Sequence, residues 1–338
     1  MHFLAINFHY IHEENKYPFE GIYPTTVEGL ASQLEEVGRH FNFISQEDLI
    51  SAVDGKNGLP EKCCLVTFDD GLKSQYENAI PILKKKGIPA VFFIIAMPYK
   101  DKKACLVHKI HWLRANLPPE EFLSRIEKNL KLFLGKSISD FIVQKEVATQ
   151  KYRYDKPGIA KLKFILNNLL PNDSQEKIIN NIFKEMVKDE AEFCRYFYMS
   201  EEEIQELSRL SFLGIHSYFH RPLSRLTGDE LKKEIADNIK VIKNIVGEKT
   251  LIKGISYPYG SQKDIPINID KICELFDLKY GFTMERAFNK TLKNPFFLAR
   301  MGTNDALRGK YPVFEIKENQ INIIGDVTSG RKIYFEET

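Results

Sequence analysis

Short apolar runs alternate along this chain with stretches whose apolar residues recur every third or fourth position. The first pattern predicts buried strands and the second amphipathic helices. "FLAINFHYI" (3–11) reads as a buried first strand, and "TTVEGLASQLEEVGRHF" as a helix capped by Thr25 or Thr26. "FISQEDLISAVDG" reads as a short strand entering a capped helix. "KCCLVTFDDG" (62–71) is the second main strand and its exit. "SQYENAIPILKKKGI" is an amphipathic helix ending at Gly87, and "PAVFFIIA" (89–96) is continuous enough for a parallel strand buried on both faces. From about 100 to 198 the pattern changes to charged helical segments such as "PPEEFLSRIEKNLKLFLG", with hardly a strand signal. The strand–helix rhythm then returns. "SEEEIQELSRL" carries a capping box from Ser200 to Glu203, and it is followed by "SFLGIHS", "TGDELKKEIADNIKVIKNIVG", "IKGISYPYG", "NIDKICELFDLKYGFTM" and "PFFLARMG", the last read as a strand.

The count of βα units, seven at most, predicts an α/β fold, a distorted or incomplete (β/α) barrel. Residues 1–338 are read as one catalytic domain, with 100–198 as a helical insertion packed on the core. The net charge is +2, with 48 basic against 46 acidic residues, which argues against a nucleic-acid or strongly anionic membrane partner. Five cysteines without a C-x-x-C pair read as reduced thiols. The amino-terminal stretch has no leader pattern and no run reaches the length of a membrane span, so the expected address is cytoplasmic.

The chemistry concentrates at predicted strand ends. "LVTFDDG" (65–71) ends a buried strand on two adjacent carboxylates, Asp69 and Asp70, which repel each other and cost desolvation unless a cation is near. "GIHSYFHRPLSRL" (214–226) places His216 and His220 four apart, a spacing that on a helical turn lets two imidazoles reach one metal. Two histidines with one carboxylate, Asp70 or Asp69, make a ligand set for a divalent hydrolytic metal with open positions. Strand carboxyl ends are where barrel active sites lie. "VHKIHWL" offers His108 and His111, better read as a packed helix than as a second metal site. "KYRYDKPG" (151–158) offers aromatic and basic residues for a sugar or phosphate, or for loop packing. Ser217 lacks a G-x-S-x-G context and reads as a turn-shaping residue.

"TFDDG", "HSYFH" and "YPYG", in that order, resemble the first three motifs of the polysaccharide deacetylases, the NodB-like carbohydrate esterases. The likeness covers residues from about 62 to 96 and 205 to 303. "FHYI" early, the helical insertion and "LARMGTND" late are similar to a bacterial subgroup found with surface-polysaccharide genes. The resemblance implies Asp70, His216 and His220 as ligands of one divalent metal ion. Zinc is the default, with cobalt, nickel, manganese and iron open. It implies Asp69 as the base that activates water, and attack on an acetamide carbonyl, with a backbone N–H such as that of Tyr259 assisting the oxyanion. Tyr257, Pro258 and Tyr259 become candidates to line a sugar subsite.

The chain departs from the family pattern in two places. The arginine that orients the base is replaced by Ser256 or Tyr257, and Arg300 at the end of "FFLAR" is the expected substitute, with a structural ion pair as the alternative. No histidine follows His220, so the late leucine-x-histidine motif is absent. Circularly permuted relatives carry that histidine on the first strand, which makes His9 in "INFHYI" the candidate general acid. The alternative is a buried structural histidine.

The resulting expectation is a metal-dependent hydrolase that removes an N-acetyl or other N-acyl group from an amino sugar. An address inside the cell points to a nucleotide- or lipid-linked intermediate of surface polysaccharide synthesis. The alternatives are hydrolysis of another linear or cyclic C–N amide bond, N-formyl included, on the same fold, and a catalytically inactive sugar-binding relic. A magnesium-dependent phosphoryl-transfer enzyme is a further reading, disfavoured by the lack of a phosphate-binding glycine loop.

Overall fold

A computed structural model describes residues 1–13, 16–152 and 156–327. Residues 153–155 of "KYRYDKPG" lie outside the described residues. The chain divides into two compact units, Met1–Glu14 with Pro24–Lys103 and Cys194–Thr338, and Asn15–Tyr23 with Ala104–Phe193.

The first unit is built on one parallel sheet. Its strands are β1 (His2–Phe8), β2 (Asn42–Phe43), β3 (Lys62–Asp70), β4 (Ala90–Ile94), β5 (Leu213–Ile215), β6 (Gly254–Ser256), β7 (Tyr280–Phe282) and β8 (Met301–Gly302). They run in the order β7-β6-β5-β4-β3-β1-β8, with β2 pairing β3 off this path. Between them lie α1 (Val27–Gly38), α2 (Gln46–Val53), α3 (Lys73–Lys86) and, after the second unit, helices Glu201–Arg209, Gly228–Val246 and Ile269–Leu275. This is the half-barrel with surrounding helices that the βα rhythm predicts.

Local chemistry explains the helix ends. Thr26 caps α1 through its side chain, Ser45 closes a capping box with Asp48, and Ser200 and Glu203 form the expected box on Glu201–Arg209. Gly87 ends α3 in the left-handed conformation, φ 63°.

Strand alternation then sorts the sheet's two faces. Phe3 and Ala5 of β1, Cys63 and Leu65 of β3, and Val91 and Phe93 of β4 join Tyr280, Phe282 and Leu298 in one buried core. Phe8, Phe68 and Phe92 take the opposite face as a stacked row, with centroids 5.3 and 4.5 Å apart. Continuing the inward series toward the strand ends gives Asn7, Thr67 and Asp69. The core is apolar at the strand starts and polar at their ends.

"PFFLARMG" is not a continuous strand. Pro295–Phe297 is a single 3-10 turn, and only Met301–Gly302 joins β1, in register with Ile6 and Asn7. Leu298 bridges in parallel to Phe282 of β7. One irregular segment thus touches both edges of the open sheet, Leu298 on one side and Met301 on the other, with Arg300 between them. A proline without an N–H and the change of partner within three residues prevent a regular strand.

In the second unit, α-helices predominate, among them Leu106–Asn116, Pro119–Leu134 and Asn172–Met186. Trp112 packs edge-on against Phe183 and Phe193, centroids 5.7 and 5.6 Å away. Lys109 is buried beside them, bonded to Glu190 at 2.6 Å and to Asn180 at 2.7 Å. His108 is buried in the same helix, as the packing reading of "VHKIHWL" expects. All five cysteines are free and buried. No helix among the described residues is long and apolar enough to cross a membrane.

Candidate metal centre and active site

Adjacent residues of a strand point to opposite faces, yet Asp69 and Asp70 both reach the same imidazole. Asp69 follows the inward series. Asp70 has φ 83°, outside the strand region, and the chain leaves β3 there into Gly71, φ 67°. The His216 Nε2 atom lies 3.9 Å from Asp69 Oδ2 and 3.5 Å from Asp70 Oδ1. His220 Nε2 is also 3.5 Å from Asp70 Oδ1.

The two histidines do not share a helical turn, as their spacing suggested. Residues 216–220 form a loop in which Ser217 and His220 both have positive φ, 61° and 56°. Ser217 Oγ accepts the His220 N–H at 3.0 Å, and this closes the loop and folds the second ring back to 4.9 Å from the first. Ser217 shapes the turn, as expected. Tyr259, with φ 63° and its ring 5.3 Å from His220, is a further left-handed residue beside the site. Non-glycine residues in this conformation cost on the order of 1 kcal/mol or more each, and such strain gathers at functional sites.

Asp69 is gripped from several sides. Arg300 donates from Nη1 to Oδ1 at 2.8 Å and from Nη2 to Oδ2 at 2.6 Å, a fork-to-fork pair. Asn7 Nδ2 donates to Oδ2 at 2.9 Å. Arg300 is wholly buried, also bonds Ser256 Oγ at 2.7 Å, and lies over the Phe93 and Phe282 rings at 5.7 and 5.6 Å. Burial pushes the Asp69 carboxyl upward, but the Arg300 charge, the His216 ring, the Arg300 hydrogen bonds and His9 outweigh it and hold the group at about 2. Asp69 is therefore ionised throughout the neutral range.

Asp70, His216 and His220 offer ligand atoms that all lie within 4.8 Å of one another. His216 Nδ1 faces the Ser256 carbonyl at 2.7 Å, which fixes the proton there and leaves the Nε2 lone pair for a ligand. Two ligands about 2.1 Å from a tetrahedral ion stand roughly 3.4 Å apart. The two Nε2 to Oδ1 separations of 3.5 Å match that spacing. The charges agree as well: two buried carboxylates face one arginine, so with neutral imidazoles a cation is needed to balance the site. The residues fit a divalent metal ion.

The remaining candidates separate by exposure. His9 is exposed just beyond β1, near enough to influence Asp69, and is not the buried structural histidine. Tyr259 is 47% exposed at the site's edge. Tyr257 is fully buried, and its hydroxyl donates to the Phe296 carbonyl at 2.9 Å, so it does not line a subsite. Alternation explains this, since Ser256 faces inward and its neighbour must face away. Pro258 is buried as well.

Three side chains were missed in the sequence. Asn7 is the inward residue two positions before His9. Gln75 of α3 is buried; its Nε2 donates to the His9 carbonyl at 2.9 Å and the Asp69 carbonyl at 2.5 Å, while Oε1 accepts the Leu72 N–H at 3.2 Å. Ser256 was noted only as the place of a lost arginine. The signal for Asn7 was available: it is a polar residue at an inward position of an otherwise apolar strand.

The Polysaccharide deacetylase family profile matches residues 56–129 and 179–275. The chain belongs to the polysaccharide deacetylase family. Members hydrolyse the N-acetyl carbon–nitrogen bonds of carbohydrates, and both matched segments contain motif residues, Asp69 and Asp70 in the first and His216, His220 and Tyr259 in the second. A stretch of 35 residues is 54% identical to YxkH of Bacillus subtilis (strain 168), which bears a polysaccharide deacetylase name; it spans 10% of this chain and 12% of that relative. Among solved structures, the fold is similar to IcaB from Ammonifex degensii, with 19% identity and TM-score 0.52 over 89% of this chain and 91% of that one. It is also similar to the deacetylase PplD of Streptococcus pyogenes, solved in complex with acetate, with 15% identity and TM-score 0.54 over 89% and 92% of the two chains.

Proposed function

We propose that this protein is a metal-dependent de-N-acetylase of an amino sugar, with Asp70, His216 and His220 holding the ion. The observation that supports this most is the convergence of those three side chains on one point beside an ionised Asp69. A divalent ion held there supplies Lewis acidity, which makes water nucleophilic at neutral pH and polarises the acyl carbonyl. Zinc suits two imidazoles and a carboxylate best, and cobalt, nickel, manganese and iron suit the same donors.

Asp69 takes the proton from the attacking water. Its low basicity follows from the Arg300 clamp, which keeps the carboxylate ionised and its oxygens fixed in direction. Asn7 and Ser256 hold the pair in register, Asn7 on the carboxylate and Ser256 on the guanidinium. His9 donates the proton that the departing amine requires. Gln75 fixes the main chain at both His9 and Asp69, which sets the distance between acid and base. Tyr259 offers an exposed ring for the apolar face of a sugar.

The substrate class is an N-acetylated amino sugar, carried on a nucleotide or lipid as an intermediate of surface polysaccharide synthesis. The test is acetate release from UDP-N-acetylglucosamine and from a lipid-linked N-acetylglucosamine by the zinc- or cobalt-loaded enzyme, with Asp69→Asn as the control. Release that falls by about three orders of magnitude in the variant, on the scale of losing a general base, is the expected result. Equal release by both proteins, or phosphate release in place of acetate, contradicts the assignment.

A further inference from the structure

The loop that carries both histidines is held from behind by helix Gly228–Val246. Two residues of that helix one turn apart, Glu234 and Asn238, face the loop. Both are buried, at 5% and 0% exposure. Asn238 Nδ2 donates to the Ile94 carbonyl at 3.1 Å and to the Ser217 carbonyl. The Ile94 carbonyl also accepts the His216 N–H at 3.0 Å, so Asn238 holds the first histidine's end of the loop.

Glu234 holds the rest. Its Oε1 accepts the Phe219 N–H at 2.7 Å, and the nearby Ser217 hydroxyl and Tyr218 N–H favour its charged form. Ser217 Oγ in turn accepts the His220 N–H. Ser217 thus stands between the His220 backbone, which it bonds, and Glu234, whose charge it favours. Ser217 and His220 have positive φ, so the loop is strained and needs such support to persist.

We infer that Glu234 is a positioning residue for the metal centre: its buried carboxylate holds the Phe219 N–H beside Ser217 and thereby fixes the His216–His220 spacing. The Phe219 N–H bonds it and the Ser217 hydroxyl and Tyr218 N–H nearby favour a negative charge at this place. An amide keeps one acceptor but loses the charge and presents an NH2 on its other side. Glu234 touches no ligand atom and acts through the loop alone. This inference rests on the metal-centre reading above.

The test is metal affinity, measured on the full chain stripped of metal. Zinc is titrated in competition with a chromophoric chelator, and cobalt is followed by its visible absorption bands, for wild type, Glu234→Ala and Glu234→Gln. Loss of outer-shell support weakens metal binding by about 10–100-fold. Glu234→Ala is expected in that range, and Glu234→Gln at threefold or more, both with altered cobalt bands and with Gln keeping the metal-free melting temperature of wild type. A merely structural glutamate would lower the melting temperature and leave the cobalt spectrum of the folded variant unchanged. If Glu234→Ala does not fold, Glu234→Gln decides at the same threefold threshold. Affinities changed by less than threefold, with a wild-type cobalt spectrum, overturn the inference alone. A wild-type protein that binds neither ion overturns the metal-centre reading and this inference with it.

Discussion

Replacing Arg300 by methionine removes the only guanidinium hydrogen-bonded to Asp69 among the described residues and leaves a buried carboxylate without its forked ion pair. Breaking one side of a buried pair typically costs about 3–5 kcal/mol. Part of that cost depends on pH. The Asp69 carboxyl sits at about 2 against an ordinary 3.8, a gap worth about 2 kcal/mol at 1.36 kcal/mol per unit. Because the folded value is depressed, this stabilisation is complete above the ordinary value and is lost as pH falls through about 2. In Arg300→Met the burial that Arg300 outweighs pushes the carboxyl upward instead. The variant's Asp69 then takes up a proton on mild acidification, and the folded variant regains stability. Urea unfolding of the metal-free proteins should show the wild-type advantage widest at pH 7 and smaller at pH 4.5. In the double variant with Asp69→Asn, much of the loss should be recovered, a coupling expected of groups in direct contact. A gap that does not change with pH, together with additive losses in the double variant, would refute the reasoning.

Two further outcomes follow from the site's geometry. His9→Gln should lower kcat by about 10²–10⁴-fold, with KM and zinc stoichiometry unchanged; an unaltered kcat would show that another group protonates the amine. Tyr257→Phe should cost about 1 kcal/mol of stability by removing the hydrogen bond to Phe296 and should leave KM as it is. A raised KM would return Tyr257 to the substrate surface.

The site's chemistry was more legible than its support. Asp69, Asp70, His216 and His220 stand at strand ends in short local patterns, so sequence placed them. Arg300 came from the resemblance, as the substitute for the family's missing arginine, although its strand is two bridges joined by an irregular segment. The i, i+4 spacing of the histidines was right for the wrong reason: left-handed residues and a serine side chain, not a helical turn, bring the rings together. Positive φ at Asp70, Ser217 and His220 leaves no mark in composition. Tyr257 was misplaced because aromatic character was weighed ahead of strand alternation. Gln75, Glu234 and Asn238 lie on helices where a polar residue is unremarkable until the fold buries it. Most of the groups they hold are backbone groups of other elements, such as the His9 carbonyl, the Phe219 N–H and the Ile94 carbonyl, which no local pattern encodes.

The central claim is the metal centre, and elemental analysis of untagged protein purified without chelator tests it most directly. Wild type should carry, or take up on loading, about one equivalent of a transition metal, and His216→Ala should lose it, since one of three converging ligands is gone. A wild-type protein that holds no zinc, cobalt or manganese after loading, or a His216→Ala protein that retains a full equivalent, would contradict the account.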